Sequence, residues 1–201
     1  MRPSPGLLRT LAEDLRTVVA RDPSVHGRAE ALLHPALPAL WAHRVGHRWH
    51  RRGWRLLARL LMTVVRAITG VEIHPGAVLG RRVFIDHGAA VVIGETARVG
   101  DDVTIYHRVT LGAVGWWHDL RRPVGARRHP VVGDDVVLGA GATVLGPVTV
   151  GAGAVIGAQA LVIADVPAGA RVLAPTAVVT ARFDGPPVVE LLRRTASAGS
   201  W

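Results

Sequence analysis

The 201-residue sequence contains no cysteine and no lysine, and aromatic residues are scarce. The absence of cysteine excludes disulfide bonds, thiolate zinc sites and cysteine nucleophiles, and it favours a reducing compartment. The absence of lysine excludes Schiff-base chemistry and the lysine of a phosphate-binding P-loop. Every one of the 24 cationic side chains is therefore an arginine.

The net charge of +9 is concentrated near the N-terminus. Residues 1–70 carry 12 arginines against 4 acidic residues, whereas residues 71–171 carry 9 of each. Within this basic region, the segment 43–55 interleaves arginine with tryptophan, a pattern that is also found in helices that bind RNA or membranes. A pure binding module is thus one alternative function.

Neither end of the chain nor its longest uncharged run predicts a membrane protein. The first residues lack the continuous apolar segment of a signal peptide, so we expect a cytoplasmic protein. Residues 136–164 are 29 residues without a charge, long enough to span a bilayer, but their regular glycine and proline residues argue against a membrane helix.

Residues 1–70 are predicted to form a helical N-terminal domain. Apolar residues recur at helical intervals from Leu7 to about Arg66. Proline and glycine interrupt this pattern at residues 22–23, 34–38 and 53, which predicts three or four helices, and Gly70 ends the last one.

From residue 71 to residue 171 the sequence repeats every six residues. An aliphatic residue leads each unit, and only alanine or valine stands four positions later. The leaders form three registers: Ile73, Leu79, Ile85 and Val91; Ile93, Val99, Ile105 and Leu111; Val132, Leu138, Val144, Val150, Ile156 and Val162. Each unit fits one short strand plus a turn, so three units make a triangular coil of 18 residues.

This pattern predicts an α+β protein in which the N-terminal helices precede a left-handed parallel β-helix. Residues 113–130 break the repeat and are expected to project as a loop carrying Trp116 and Trp117. Residues 172–201 are expected to form a tail with a departing strand and a short helix near residues 188–194. Prisms of this kind leave a flat face for packing, so we expect a trimer, or a dimer of trimers, with clefts between subunits.

The candidate chemistry resides in polar side chains within the coils. The slot of Glu72 recurs at Ala90 one coil later, so His87 lies one layer up and three residues before that slot, and the two side chains are expected to approach each other. A carboxylate that orients an imidazole is the pair used to deprotonate a hydroxyl group.

The chain resembles bacterial serine O-acetyltransferases, which catalyse the first step of cysteine synthesis. The resemblance rests on residues 70–112, on the RRHP motif of residues 127–130, and on residues 136–170. It extends into the helices through residues 20–25 and 40–53, which a generic hexapeptide acyltransferase would lack.

The resemblance implies direct acetyl transfer from acetyl-CoA to the serine hydroxyl, without a metal. His87 is implied as the general base and Glu72 as the residue that orients it. The remaining implied contacts are Asp22 and Asp86 for the serine amino group, Arg128 and His129 for its carboxylate, and Ala113, Gly139, Ala140 and Ala158 for CoA.

Four departures from the family pattern bear on the acceptor and on partners. The family's GGTG is replaced by residues 112–115, GAVG, ahead of a longer loop, and its Gln-Gly or Gln-Ser by His107-Arg108. The GNPAR-like signature has become residues 174–177, APTA. The chain ends in Ser200-Trp201 rather than isoleucine, so a complex with cysteine synthase is not expected.

Two alternative enzymes remain open. An acyltransferase of the same fold acting on another hydroxyl or amine acceptor would also fit the altered loop. Because a 20-residue coil from Ile85 to Ile105 should stack His107 over His87, a zinc lyase resembling the γ-class carbonic anhydrases is the more distant alternative.

Overall fold

A computed structural model of the chain describes residues 6–123 and 125–177, with the side chain of His118 left aside. Four helices precede the strands, and a short fifth helix lies within the loop. The helices are α1 (Leu7–Arg21), α2 (Arg28–Ala31), α3 (Leu37–Arg51), α4 (Arg55–Thr69) and α5 (Trp116–Asp119). In this part of the chain, no helix is both long enough and apolar enough to cross a membrane.

The helices end where proline and glycine interrupt the apolar pattern. Helix α1 stops at Asp22, directly before Pro23, and Gly70 ends α4 with a left-handed backbone, φ 69°. The first strand begins two residues later, at Glu72. The predicted number of helices is confirmed.

Fourteen short parallel strands form the rest of the described chain. They are β1 (Glu72–Ile73), β2 (Val78–Leu79), β3 (Phe84–Ile85), β4 (Val92–Ile93), β5 (Arg98–Val99), β6 (Thr104–Ile105), β7 (Thr110–Gly112), β8 (Val131–Val132), β9 (Val137–Leu138), β10 (Thr143–Leu145), β11 (Thr149–Val150), β12 (Val155–Ile156), β13 (Leu161–Val162) and β14 (Arg171–Val172). Every third strand joins the same sheet, which gives three sheets in the orders β1-β4-β7-β10-β13, β2-β5-β8-β11 and β3-β6-β9-β12-β14. The chain therefore winds as a triangular parallel β-helix.

The interior of the β-helix is built from the predicted leaders and the small residues two positions before them. Ile73, Ile93 and Ile105 are at most 1% exposed. One assignment was wrong: Val91 was counted as a leader and Ala89 as a small inward residue, but Val91 is buried in the small-residue slot and Ala89 is exposed. The two extra residues of this coil lie before Val91, at the turn that holds Gly88 and Ala90.

The register between strands shows where coils depart from 18 residues. Glu72 pairs with Val92, a step of 20, whereas Val92 pairs with Thr110, a step of 18. Thr110 pairs with Thr143, a step of 33, because the loop at residues 113–130 leaves the β-helix and returns in phase. The predicted helix near residues 188–194 and the terminal Ser200-Trp201 lie outside the described residues.

Candidate active site

One edge of the β-helix carries His87 and His107 in successive coils. Ile85 pairs with Ile105, Ile105 with Leu138, and Leu138 with Ile156. The residues two positions after these four therefore stack along one edge. We call this edge the histidine edge; it consists of His87, His107, Ala140 and Ala158.

His87 is held outward at this edge by a left-handed backbone, φ 62°. Its side chain is 72% exposed, and Nε2 lies 3.7 Å from Oδ1 of Asp86. The His107 ring meets it edge to face, with the ring centroids 5.8 Å apart. The expected juxtaposition of His107 and His87 is present, and an exposed imidazole beside a carboxylate is suited to general base chemistry.

The helical region brings two further groups to the histidine edge. Asp22, at the end of α1, accepts hydrogen bonds from the backbone N–H and the hydroxyl of Ser24 at 2.9 and 2.6 Å on Oδ1. These bonds are the main reason that the pKa of Asp22 is lowered, and His34 and His87 lower it further. Oδ2 of Asp22 faces Nε2 of the buried His34 at 3.9 Å.

Glu72 is not paired with His87. Its carboxylate Oε2 accepts from Nη1 of Arg66 at 2.9 Å, and of the two described side chains near His87 that could form an ion pair with it, the carboxylate is that of Asp86. Arg66 stands in the last turn of α4, directly before β1, and thereby draws Glu72 toward the helix. The expected approach of Glu72 to His87 is absent from this arrangement.

Arg128 and His129 lie at the opposite edge of the β1-β4-β7-β10-β13 sheet. We call this edge, with Glu95, Ala113, Arg128 and His129, the arginine edge. Nη2 of Arg128 donates to Glu95 at 2.5 Å, and Nη1 donates to Asp119 of α5 at 3.3 Å. The loop that holds Arg128 is thus tied to the coil through two carboxylates.

Thr96 organises the arginine edge. Its Oγ1 accepts the backbone N–H groups of Arg128 and His129 at 2.9 and 3.0 Å, so its own hydroxyl hydrogen is free to donate to Nδ1 of His129 at 2.9 Å. Burial lowers the pKa of His129, which keeps the ring neutral near pH 7. With Nδ1 accepting, the ring hydrogen is on Nε2, which leaves an N–H donor suited to a carboxylate.

A single chain does not bring the two edges together. His87 precedes β4 and Glu95 follows it, so the width of the sheet lies between them. The residues that the sequence groups into one amino-acid site therefore form two half-sites in one chain: Asp22, Asp86 and His87 on the histidine edge, and Arg128 and His129 on the arginine edge.

The residues expected to contact CoA divide between the same two edges. Ala140 and Ala158 stack above His87 and His107, next to Gly139, and none of them projects beyond a methyl group. Ala113 stands two residues after Leu111, which pairs with Ile93, so it stacks above Glu95. Beside the arginine edge, a cavity of about 710 Å³ opens between Arg55 of α4 and the loop residues Trp116 and Leu120.

Sequence reasoning missed Thr96 and His34. The sequence offered His34 only as part of a proline-rich break between helices, and Thr96 only as an ordinary position in a coil. Trp116 and Trp117 contact each other edge to face and stay largely exposed. Across residues 6–123 and 125–177, no group of three or more histidine, aspartate or glutamate side chains is arranged to hold a metal ion.

Comparison with known proteins places residues 129–164 in the family model described as bacterial transferase hexapeptide (six repeats). The serine acetyltransferase of Mycobacterium tuberculosis is 52% identical over 146 residues, which are 72% of this chain and 61% of that protein. The serine acetyltransferase of Helicobacter pylori strain 26695 is 46% identical over 168 residues, which are 83% of this chain and 94% of that protein.

Solved structures give the same result. The serine acetyltransferase of Neisseria gonorrhoeae in complex with serine superposes with a TM-score of 0.76 at 35% identity, covering 84% of this chain and 67% of that one. The soybean apoenzyme gives a TM-score of 0.77 at 40% identity over 88% and 70% of the two chains. The predicted fold class and the family resemblance are both confirmed. The chain belongs to the serine acetyltransferase family.

Proposed function

We propose that this protein transfers the acetyl group of acetyl-CoA to the hydroxyl of L-serine, giving O-acetylserine and CoA. The observation that carries the proposal is the meeting of Asp22, Asp86 and His87, which come from the end of α1 and the end of β3, at one edge of the β-helix. The relative from Neisseria gonorrhoeae with serine bound supports serine as the acceptor.

His87 acts as the general base in this proposal. Its imidazole takes the proton of the serine hydroxyl, and the oxygen attacks the thioester carbonyl of acetyl-CoA. The tetrahedral adduct expels the CoA sulfur, and the proton on His87 passes to that sulfur. No covalent intermediate with the enzyme forms, and the imidazole returns to its neutral state.

Carboxylates hold the acceptor and orient the base. Asp22 and Asp86 receive the ammonium group of serine, since both carboxylates border His87. Glu72 orients the imidazole, for which its carboxylate must exchange Arg66 for His87. A carboxylate beside a histidine stabilises the protonated imidazole that forms during the reaction.

The serine carboxylate is bound by Arg128 and His129 of a neighbouring copy. When three triangular prisms pack around a threefold axis, the edge on one side of a face meets the edge on the other side of the next copy's face. A homotrimer therefore joins the histidine edge of one copy to the arginine edge of its neighbour. The guanidinium fork and the Nε2–H then supply donors to the carboxylate.

Acetyl-CoA lies along the cleft between neighbouring copies. Gly139, Ala140 and Ala158 leave the surface above His87 flat, which lets the pantetheine arm approach the coil, and Ala113 flanks the cleft from the arginine edge. The assignment of residues 1–70, 71–171 and 172–201 to separate domains, a cytoplasmic location and the absence of a cysteine synthase complex stay predictions.

The test is the release of free CoA from acetyl-CoA with L-serine, beside homoserine, threonine and no acceptor. We expect serine-dependent release with a KM in the micromolar to millimolar range. Release that depends on another acceptor alone would overturn serine but retain an acyltransferase. The metal content of the same sample and its bicarbonate dehydration rate test the zinc lyase alternative.

A further inference from the structure

His34 is a buried titratable group for which the proposed mechanism has no use. It lies between α2 and α3, its side chain is 4% exposed, and its ring packs against Phe84 of β3 with the centroids 5.7 Å apart. Burying an imidazole is costly unless its nitrogens have polar partners. The partners of His34 therefore show what this position requires.

The contacts of His34 fix which nitrogen carries hydrogen. The backbone N–H of Ala36 points at Nδ1 at 3.4 Å, so Nδ1 accepts. Burial is the main cause of a lowered pKa at His34, which keeps the ring neutral near pH 7. A neutral imidazole has one N–H, and here it is on Nε2.

The Nε2–H of His34 faces the carboxylate of Asp22. Ser24 occupies Oδ1 of Asp22 through two hydrogen bonds, and the Nε2 of His34 lies 3.9 Å from Oδ2. An approach of about 1 Å would close this gap to a hydrogen bond. Asp86 and His87 also influence the charge on His34, so the ring borders all three residues of the histidine-edge half-site.

We propose that His34 is a positioning residue of the acceptor site, whose Nε2–H orients Oδ2 of Asp22 toward the ammonium group of the acceptor. The inference rests on the proposed function, because it assigns Asp22 to the acceptor amine. Ser24 and His34 hold the two carboxylate oxygens from opposite sides. The carboxylate then needs no reorganisation when the acceptor binds.

Two amide substitutions separate this role from packing. In His34→Gln the amide nitrogen reaches the place of Nε2, whereas in His34→Asn it can replace only Nδ1. We expect His34→Asn to raise the KM for L-serine by about tenfold or more, with kcat and the KM for acetyl-CoA little changed. His34→Gln should stay within about threefold of the unsubstituted protein.

The outcomes distinguish the inference from the proposed function. An unchanged serine KM in His34→Asn, or equal rises in both variants together with lower melting temperatures, would overturn the positioning role. An unsubstituted protein without serine-dependent CoA release would overturn the proposed function and the inference with it. Adding His34→Asn to Asp22→Asn should cause no further rise in KM, since the first residue acts through the second.

A measurement on the unsubstituted protein covers variants that fail to fold. Nitrogen-15 spectra of the histidine rings report which nitrogen of His34 carries hydrogen. We expect Nε2–H without ligand and a shift of that signal on addition of L-serine. A hydrogen on Nδ1, or a signal that does not respond to serine, would contradict the proposal.

Discussion

The ring of His129 lies directly over Gly94 in the coil below it. A methyl group at Gly94 would overlap the Cδ2 and Nε2 atoms of the imidazole, so the position requires glycine for space rather than for backbone freedom. Thr96 fixes the other side of the same ring through Nδ1. At the residue scale, the half-site for the carboxylate therefore depends on a small residue and a hydroxyl that never touch substrate.

Gly94→Ala is expected to displace His129 and weaken acceptor binding. The serine KM should rise by about tenfold or more, since a hydrogen bond to a charged group is lost, while the KM for acetyl-CoA changes little. Steady-state kinetics with each substrate varied in turn measure the effect. Gly27→Ala is the control, because nothing lies within 4 Å of the added methyl group there; equal kinetics in both variants would refute the role of Gly94.

His87→Ala is expected to remove the base and leave the binding surfaces intact. Turnover should fall by about 100-fold or more, the usual contribution of a general base, while the affinity for CoA in a calorimetric titration stays unchanged. Turnover within about tenfold of the original would contradict the base assignment.

Helix α3 closes the open end of the β-helix at the scale of elements. The first coil has no coil beneath it, so its backbone carbonyls lack strand partners. Side chains on one face of α3 supply donors: Nε2 of His43 to Ala77, Nη1 of Arg44 to Leu79, and Nδ1 of His47 to Pro75. An unpaired strand edge exposes such groups, and covering it prevents unwanted pairing.

The buried groups of this cap carry a cost in acid. Arg44 is paired with the buried Asp14 at 3.1 Å, and His43 is fully buried, with Nδ1 unpartnered among the described residues. Burial is the main cause that lowers the pKa of His43 to about 3. The folded protein therefore binds no proton at His43 until the pH nears 3, whereas the unfolded chain binds one below about 6.5.

Stability is expected to fall as the pH drops from about 6.5 toward 3. A lowered histidine pKa stabilises the fold fully above the unfolded value, and each such group costs about 1.4 kcal/mol per pH unit below it. Chemical denaturation at several pH values measures the slope. His43→Gln keeps a donor for the Ala77 carbonyl but does not titrate, so its slope should be smaller by about one proton; an unchanged slope would show that His43 does not contribute.

At the scale of the whole molecule, the two half-sites make catalysis a property of the assembly. His87 and Arg128 stand at opposite edges of one sheet, so no single chain presents both to one acceptor. The exposed apolar residues of α4, among them Leu56, Leu60 and Ile68, face away from their own core and are available for contact with other copies.

Mixing two inactive variants tests whether the site is shared. His87→Ala and Arg128→Ala trimers should each be nearly inactive. After unfolding and refolding together at equal amounts, about a quarter of the sites would combine an intact His87 with a neighbour's intact Arg128. Recovery of activity in the mixture, absent when each variant is refolded alone, is the expected result. No recovery, with mixed trimers verified by mass spectrometry, would contradict the shared site.

The sequence by itself determined the architecture. A six-residue period with aliphatic leaders admits only a short strand and a turn per unit, and proline and glycine fixed the helix ends at Asp22 and Gly70. The motifs around His87 and the RRHP motif identified the candidate chemistry, because these signals are local in the chain. Ala89 and Val91 were exchanged because a two-residue insertion leaves the period ambiguous until neighbouring coils pair.

Only the tertiary structure decided which side chains meet. Arg66 draws Glu72 away from His87, Thr96 orients His129, and His34 reaches Asp22 across a helix break. These contacts join residues from different elements, and no periodicity records them. The separation of His87 from Arg128 arises likewise from the width of a sheet, which the order of residues along the chain does not reveal.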